Sequence, residues 1–143
     1  MFIKQVSIFI ENKAGKMAEV LDILAKNNID ISALSIADTE DYGILRLIVD
    51  SPDKACDILK ENGFIVKLTD VLAVAIEDKP GALSKPLVAL KDKDIEISYL
   101  YAFVAKNTDN AIVVIKSSDP ENAAKTLEEH SITLLDMNNI YKA

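Results

Sequence analysis

Residues 8–17 read IFIENKAGKM and residues 74–83 read VAIEDKPGAL. Each stretch is an apolar run that ends in Glu, then Asn or Asp, then Lys, one further residue and Gly. The segment NIDIS (28–32) matches DIEIS (94–98) at the same spacing of 66 residues. DSPDKA (50–55) then matches SDPENA (118–123) at a spacing of 68. The chain is therefore a tandem repeat, and its second copy carries two extra residues in the hairpin between the second and third strands. A surface turn tolerates such a change in length. The repeat divides the chain into two expected domains, 1–70 and 71–143.

Each copy reads as strand, helix, strand, strand, helix, strand. Val6, Ile8 and Ile10 alternate with Gln5, Ser7 and Phe9, the period of a strand. Met17, Val20, Leu21 and Leu24 follow at i, i+3, i+4 and i+7, one stripe of a helix that Asn27 and Asn28 stop. Residues 29–37 and 43–49 are β-branched and apolar and flank the turn DTEDYG. Ser51 is placed to cap a second helix with Pro52 at its first position. Gly63 ends that helix, and FIVKL (64–68) is the last strand. In the second copy the strands fall at about 71–77, 95–104, 111–116 and 132–135, and Asp119 and Pro120 repeat the cap. Almost nothing separates the copies, so they are not beads on a flexible linker.

The order βαββαβ predicts an α+β fold of two ferredoxin-like units, each an antiparallel sheet with its helices on one face. Val6, Ile8, Ile10, Leu45 and Leu47 fall on the helix-covered face. The opposite face carries Ser7, Phe9, Ile44, Arg46 and Ile48 in the first copy, and Val71, Ala73, Ala75, Ile112 and Val114 in the second. That back face is too apolar to stand in water. It predicts packing against another sheet, most simply in a homodimer.

The 143 residues are half hydrophobic and carry a net charge of −7. An acidic chain with one arginine, Arg46, is poorly suited to nucleic acid. No apolar run reaches the length of a membrane span and none resembles a signal peptide. One cysteine, Cys56, forms no internal disulfide. A soluble, cytoplasmic protein without membrane or nucleic-acid partners is expected.

Catalytic candidates are scarce. His130, the one histidine, falls near the C-terminal end of the fourth helix, where it suits the helix dipole. Cys56 lies on the second helix with no histidine near it and reads as a small core residue. Asp38, Glu40 and Asp41 cluster in a hairpin turn, which reads either as a weak site for a hard cation or, more simply, as a polar turn. No metal-ligand spacing, cofactor motif or phosphate-binding glycine loop is present. No nucleophile–base pair can be named, so no enzymatic activity, metal or cofactor is expected.

The two strand-to-helix turns remain. In each, a short polar residue, Asn12 or Asp78, follows an apolar strand, and Gly15 or Gly81 lets the backbone bend into a helix. N–H groups at a helix start favour a carboxylate, and Asn12 or Asp78 could meet an ammonium group. Together these suit a free α-amino acid. A glycine turn with an Asn or Asp cap, needed only for folding, explains the same residues.

ENKAGKMAEVLDILAKNNIDI (11–31) and EDKPGALSKPLVALKDKDIEI (77–97) closely resemble the signature of the ACT domain, the small ligand-binding regulatory module of amino-acid metabolism. The resemblance covers essentially the whole chain, as a stand-alone tandem pair. It implies that the units pair side by side through the second, edge strand of each into one eight-stranded antiparallel sheet with helices on one face. It also implies an amino acid bound between the strand-to-helix loop of one unit and the facing surface of its neighbour. On this chain the loop residues are Asn12, Lys13, Ala14, Gly15, Lys16 and Met17, and Asp78 to Leu83 with Pro80, Gly81 and Ala82 among them. Main-chain N–H groups of Ala14 to Met17 would hold the ligand carboxylate and Asn12 its ammonium. The facing strands differ: the first carries Ala33, Ser35 and Ala37, and the second Tyr99, Tyr101 and Phe103. Aromatic rings there serve either a ligand side chain or packing between units. Pro86 stands where the first copy has Val20, so the third helix is expected to begin later, with Ser84 as cap. That divergence favours the first loop as the fuller site, completed by the second strand of the second unit, which carries Tyr99 and Tyr101.

The functional expectation is a non-catalytic, amino-acid-binding regulatory protein that shifts its own assembly or that of a partner enzyme. The alternative is a dimerising structural subunit of a separate amino-acid-metabolism enzyme, with no ligand of its own.

Overall fold

The computed structural model describes residues 2–11, 13–38, 41–104 and 110–142. It divides into two compact units, Lys4–Thr69 and Asp70–Ala143 together with Met1–Ile3. The first contains β1 (Ile3–Glu11), α1 (Lys16–Lys26), β2 (Ile31–Asp38), β3 (Tyr42–Val49), α2 (Pro52–Glu61) and the first part of β4 (Ile65–Glu77). Its strand order is β2-β3-β1-β4. The second takes the rest of β4, then α3 (Ser84–Asp92), β5 (Ile97–Val104), β6 (Asn110–Ser117), α4 (Pro120–Glu129), β7 (Thr133–Leu135) and α5 (Met137–Lys142). Its order is β5-β6-β4, with β7 on the free side of β4. Both are the antiparallel βαββαβ arrangement that the repeat predicts.

Among the described residues there are seven strands where eight are expected. The last strand of the first copy and the first strand of the second are one 13-residue strand, β4. The sequence between them, TDV, is β-compatible and holds neither glycine nor proline, so nothing interrupts the extended backbone. The second strands, β2 and β5, are the outer strands of their own units, paired to β3 and β6.

The period-2 pattern of β1 works as read. Val6, Ile8 and Ile10 join Leu45, Leu47 and Val49 of β3 under Val20 and Leu24 of α1 and Ala55, Cys56 and Leu59 of α2. Each of these large side chains removed from water contributes about 1.5–3 kcal/mol. The second core repeats the plan with Leu72, Val74, Val113 and Ile115 under Leu90, Ala123 and Leu127. Phe2 packs on this second core.

The opposite face is mostly out of water. Ile48, Val71, Ala73, Ile112 and Val114 are no more than 4% exposed in the single chain. Phe9, at 42%, and Ile44, at 37%, remain open. Gln5 and Ser7 are buried on this face and satisfied: Gln5 Nε2 donates to Ser7 Oγ at 3.0 Å, and Ser7 Oγ lies 3.0 Å from Thr69 Oγ1.

The helix caps diverge between copies. Asp119 accepts from Asn122 N–H at 3.3 Å, whereas Ser51 makes no side-chain cap bond. α3 begins at Ser84, one residue earlier than a Ser84 cap implies, and Leu83 occupies the cap position. Pro86 sits in the first turn, where its missing N–H has no intrahelical acceptor to lose. α5 was not anticipated. Its signal is Asp136 with Asn139 three residues on, which exchange hydrogen bonds of 2.9 and 2.8 Å in a reciprocal cap.

Candidate functional site

The two strand-to-helix turns have the same internal wiring. Lys13 N–H donates to Glu11 C=O at 2.8 Å and Lys16 N–H to Lys13 C=O at 3.2 Å. In the second copy Lys79 N–H donates to Glu77 C=O at 3.0 Å and Ala82 N–H to Lys79 C=O at 3.2 Å. Gly15 and Gly81 have φ of +86° and +85°. An i to i+3 bond with that φ at i+2 is a type II turn, which requires glycine there and favours proline before it. Pro80 occupies that preceding position; Ala14 does so in the first copy. Gly15 is also the cap residue of α1, and Glu19 N–H donates to its carbonyl at 2.9 Å.

The lysine of each turn folds back on the glutamate. Lys13 Nζ is 2.8 Å from Glu11 Oε2, and Lys79 Nζ is 2.6 Å from Glu77 Oε2. The hydrogen bond and charge of each lysine hold its glutamate below the ordinary carboxylate range. Lys13 is raised in turn by Glu11. Both pairs are solvent-exposed, so they define local geometry more than stability.

Beside the first turn, a cavity of about 330 Å³ is lined by Gly15, Met17, Ala18, Ile36 and Gly43, with Glu11 and Lys13 at its rim. Met17 and Ala18 lie in the first turn of α1, where backbone N–H groups lack intrahelical acceptors. A Cβ at Gly43 would lie 3.4 Å from Ile36 Cδ1, so Ile36 lies over this glycine and closes that wall. A second cavity, of about 340 Å³, lies on the other side of the turn against Phe9, Lys16, Glu19, Tyr42, Phe64 and Ile65. At the second turn a cavity of about 590 Å³ is lined by Ala75, Pro80, Gly81, Lys85, Asn110 and Thr133, among others. Of these three cavities the one at the second loop has the largest volume.

Of the expected site residues, Lys13, Gly15 and Met17 share the first cavity. Ala14 is the other central residue of the turn, and Lys16 pairs with Glu19 at 3.6 Å. Asn12, expected to hold an ammonium group, lies outside the described residues, as does Glu40. Pro80, Gly81 and Ala82 line the large cavity; Asp78 and Leu83 do not. Ser35 stands opposite Arg46 on the face away from the helices, and its neighbour Ile36, not Ser35, lines the first cavity. Tyr99 and Tyr101 stand opposite Lys116 and Val114, are half-buried, and line neither loop cavity. Ile36 and Gly43 were missed. Ile36 stands opposite Leu45, a helix-face position, but its distance from the loop in sequence concealed the contact.

The remaining chemistry is structural. His130 Nδ1 donates to Thr126 C=O at 2.8 Å at the end of α4, and Cys56 is buried in the first core. Among the described residues no group of His, Cys, Asp and Glu could hold a metal ion, and no helix is long and apolar enough to cross a membrane.

The sequence profile of the ACT domain pair matches residues 1–143. A crystal structure of a protein from Bacteroides thetaiotaomicron is 45% identical, covers 100% of this chain and 98% of its own, and superposes with a TM-score of 0.92. The ligand-free regulatory subunit of aspartate kinase from Thermus thermophilus is 18% identical over 88% of this chain and 91% of its own, with a TM-score of 0.65. The corresponding subunit from Thermus flavus is 17% identical over 88% and 90%, with a TM-score of 0.62. These last two share the fold alone. No curated protein is significantly similar in sequence.

Proposed function

The chain belongs to the family of ACT domain pairs, and from that premise we propose that it is a non-catalytic regulatory protein that binds a free amino acid. The observation that carries this reading is the duplicated turn. Both copies keep the glycine at φ near +86° and the same pair of backbone bonds, and in the first the turn opens into a helix start beside a cavity. In this reading N–H groups of the first turn of α1 take the carboxylate, Asn12 takes the ammonium, and Met17 and Ile36 meet the side chain. The units correspond to ACT domains at 1–70 and 71–143. A neighbouring unit supplies the missing wall through an edge strand, either the one bearing Ser35 or the one bearing Tyr99 and Tyr101.

In the same reading the side-by-side pairing occurs between two chains, because β2 and β5 are both outer strands. Leu34, at 49%, and Ile36, at 46%, are open on β2 and suit such a contact. The protein then works as a cytoplasmic homodimer whose assembly, or grip on an amino-acid-metabolism enzyme, responds to the ligand.

A thermal-shift screen with the standard amino acids at millimolar concentration tests this. A specific ligand at a hundredfold excess over its Kd stabilises by about 2.7 kcal/mol. One amino acid should raise Tm, and Asn12→Ala and Gly15→Val should abolish the rise while leaving a folded protein. No rise with any amino acid rejects the reading. The exposed edge of β2 favours a second reading, a dimerising subunit of a separate enzyme, in line with the regulatory subunits of aspartate kinase that share the fold. Copurification of a catalytic chain with no amino-acid effect would select it.

A further inference from the structure

The 590 Å³ cavity of the second unit has a counterpart in the first, and the pairing registers prove the equivalence. Phe9 stands opposite Ile44 and Glu11 opposite Tyr42, as Ala75 stands opposite Ile112 and Glu77 opposite Asn110. At this place the first unit carries larger side chains, which themselves stand partly in solvent: Phe9 at 42%, Tyr42 at 46% and Ile65 at 71%. Phe9 and Tyr42 stack with ring centroids 4.8 Å apart, Ile65 flanks them, and about 340 Å³ is left. In the second unit the corresponding residues are Ala75, Asn110 and Thr133. Two aromatic rings and a branched chain are absent, while the floor remains apolar through Ile76, Pro86 and Ile132.

Charge changes along with volume. In the first unit Lys16 is paired with Glu19. Their counterparts are Ala82 and Lys85, so an acid is replaced by a cation. Glu77 is already neutralised by Lys79 at 2.6 Å. Among the described residues Lys85 forms no ion pair within 4.0 Å, though its charge also acts on Glu77, and the cavity lining holds two lysines to one glutamate. Gly63 is replaced by Ser131, which brings a hydroxyl to the wall at φ +60°. That conformation belongs to the end of α4, where Ile132 N–H donates to Leu127 C=O at 3.0 Å, as Phe64 N–H does to Leu59 C=O after α2.

We propose that this cavity binds a small carboxylate bearing one apolar ring. The ring occupies the space that the Phe9–Tyr42 stack fills in the first unit, and the carboxylate meets Lys85 with Ser131 and Asn110 at the rim. The site lies on the β4 side of its loop, away from the β2 side where the first-loop site is proposed, and it needs no ammonium recognition. It shares Pro80, Gly81 and Ala82 with the second of the two loops that the sequence offers for an amino acid, and is distinct only from the first-loop site proposed above.

Phenylacetate, which has the ring and the carboxylate but no amine, is the probe. In an amide NMR titration of the whole chain, saturable shifts should appear at Ala75, Gly81, Ser131 and Thr133, with affinity about tenfold or more above that for acetate. Lys85→Glu should weaken binding by about tenfold or more. Ala75→Phe, which restores the ring of the first unit, should abolish it. If Ala75→Phe does not fold, Thr133→Ile decides, because Ile65 is already accommodated at the matching position. The proposal is overturned if phenylacetate binds no better than acetate, if binding survives Lys85→Glu and the cavity-filling variant that folds, or if the shifts fall around Gly15 and Met17 instead. None of these results depends on whether an amino acid raises Tm.

Discussion

At residues 11–16 and 77–82 the chain makes one turn twice, with matching hydrogen bonds, glycines at φ +86° and +85°, and a lysine folded onto the glutamate two residues before it. The surroundings of the turns do not match. Phe9, Tyr42 and Ile65 crowd the β4 side of the first, and Ala75, Asn110 and Thr133 leave the same side of the second open. The turn is set by backbone rules that allow few residues. The walls are set by side chains that can change without disturbing the sheet. Duplication thus preserved a conformation and released its surroundings to diverge.

The comparison can be broken first at the cores. Leu24 and Leu90 are matched, fully buried residues of α1 and α3. Leu24→Ala and Leu90→Ala should each cost about 2–5 kcal/mol, measured by urea denaturation; losses that differ by more than half would show that the copies are not packed alike. Next come the glycines. A Cβ at Gly15 or Gly81 would meet nothing within 4 Å, so Gly15→Ala and Gly81→Ala should each cost only the left-handed penalty of about 1–2 kcal/mol. A much larger loss at one site would reveal a difference between the turns.

The caps sharpen the contrast. Asp119→Ala removes a real hydrogen bond and should cost about 1 kcal/mol, whereas Ser51→Ala removes none and should cost much less. The smallest effect is electrostatic. Both Glu11 and Glu77 have pKa values lowered in the folded state, so the contribution of each pair is present above the ordinary glutamate value of 4.5 and fades as pH falls through the lowered one. Side-chain NMR titration should find both glutamates below 4.5, and Lys13→Ala and Lys79→Ala should each restore only its own partner.

Most of the fold was legible because the repeat let two weak patterns support each other. Val6, Ile8 and Ile10 alone suggest a strand; their echo at Leu72, Val74 and Ile76 identifies a unit. The fusion of two strands into β4 was not legible, since a single polar residue such as Asp70 serves equally as a turn or as an exposed strand position. The loops were legible from Gly15 and Gly81, whose φ allows few alternatives. The cavity walls were not, because they depend on which side chains meet across strands distant in sequence, as Ile36 and Gly43 do beside Met17. The burial of Ile48, Val71 and Val114 escaped for the same reason: an apolar face announces that it will be covered, not what covers it.

The unbroken β4 also has a consequence for inheritance. A duplication that leaves a linker can be undone, because a deletion of one copy returns a complete ancestor. Here the cut would fall inside β4, just before Leu72–Glu77, the residues that pair with β6. With no turn at the junction, a one-residue insertion near Asp70 would have to be absorbed within the strand itself.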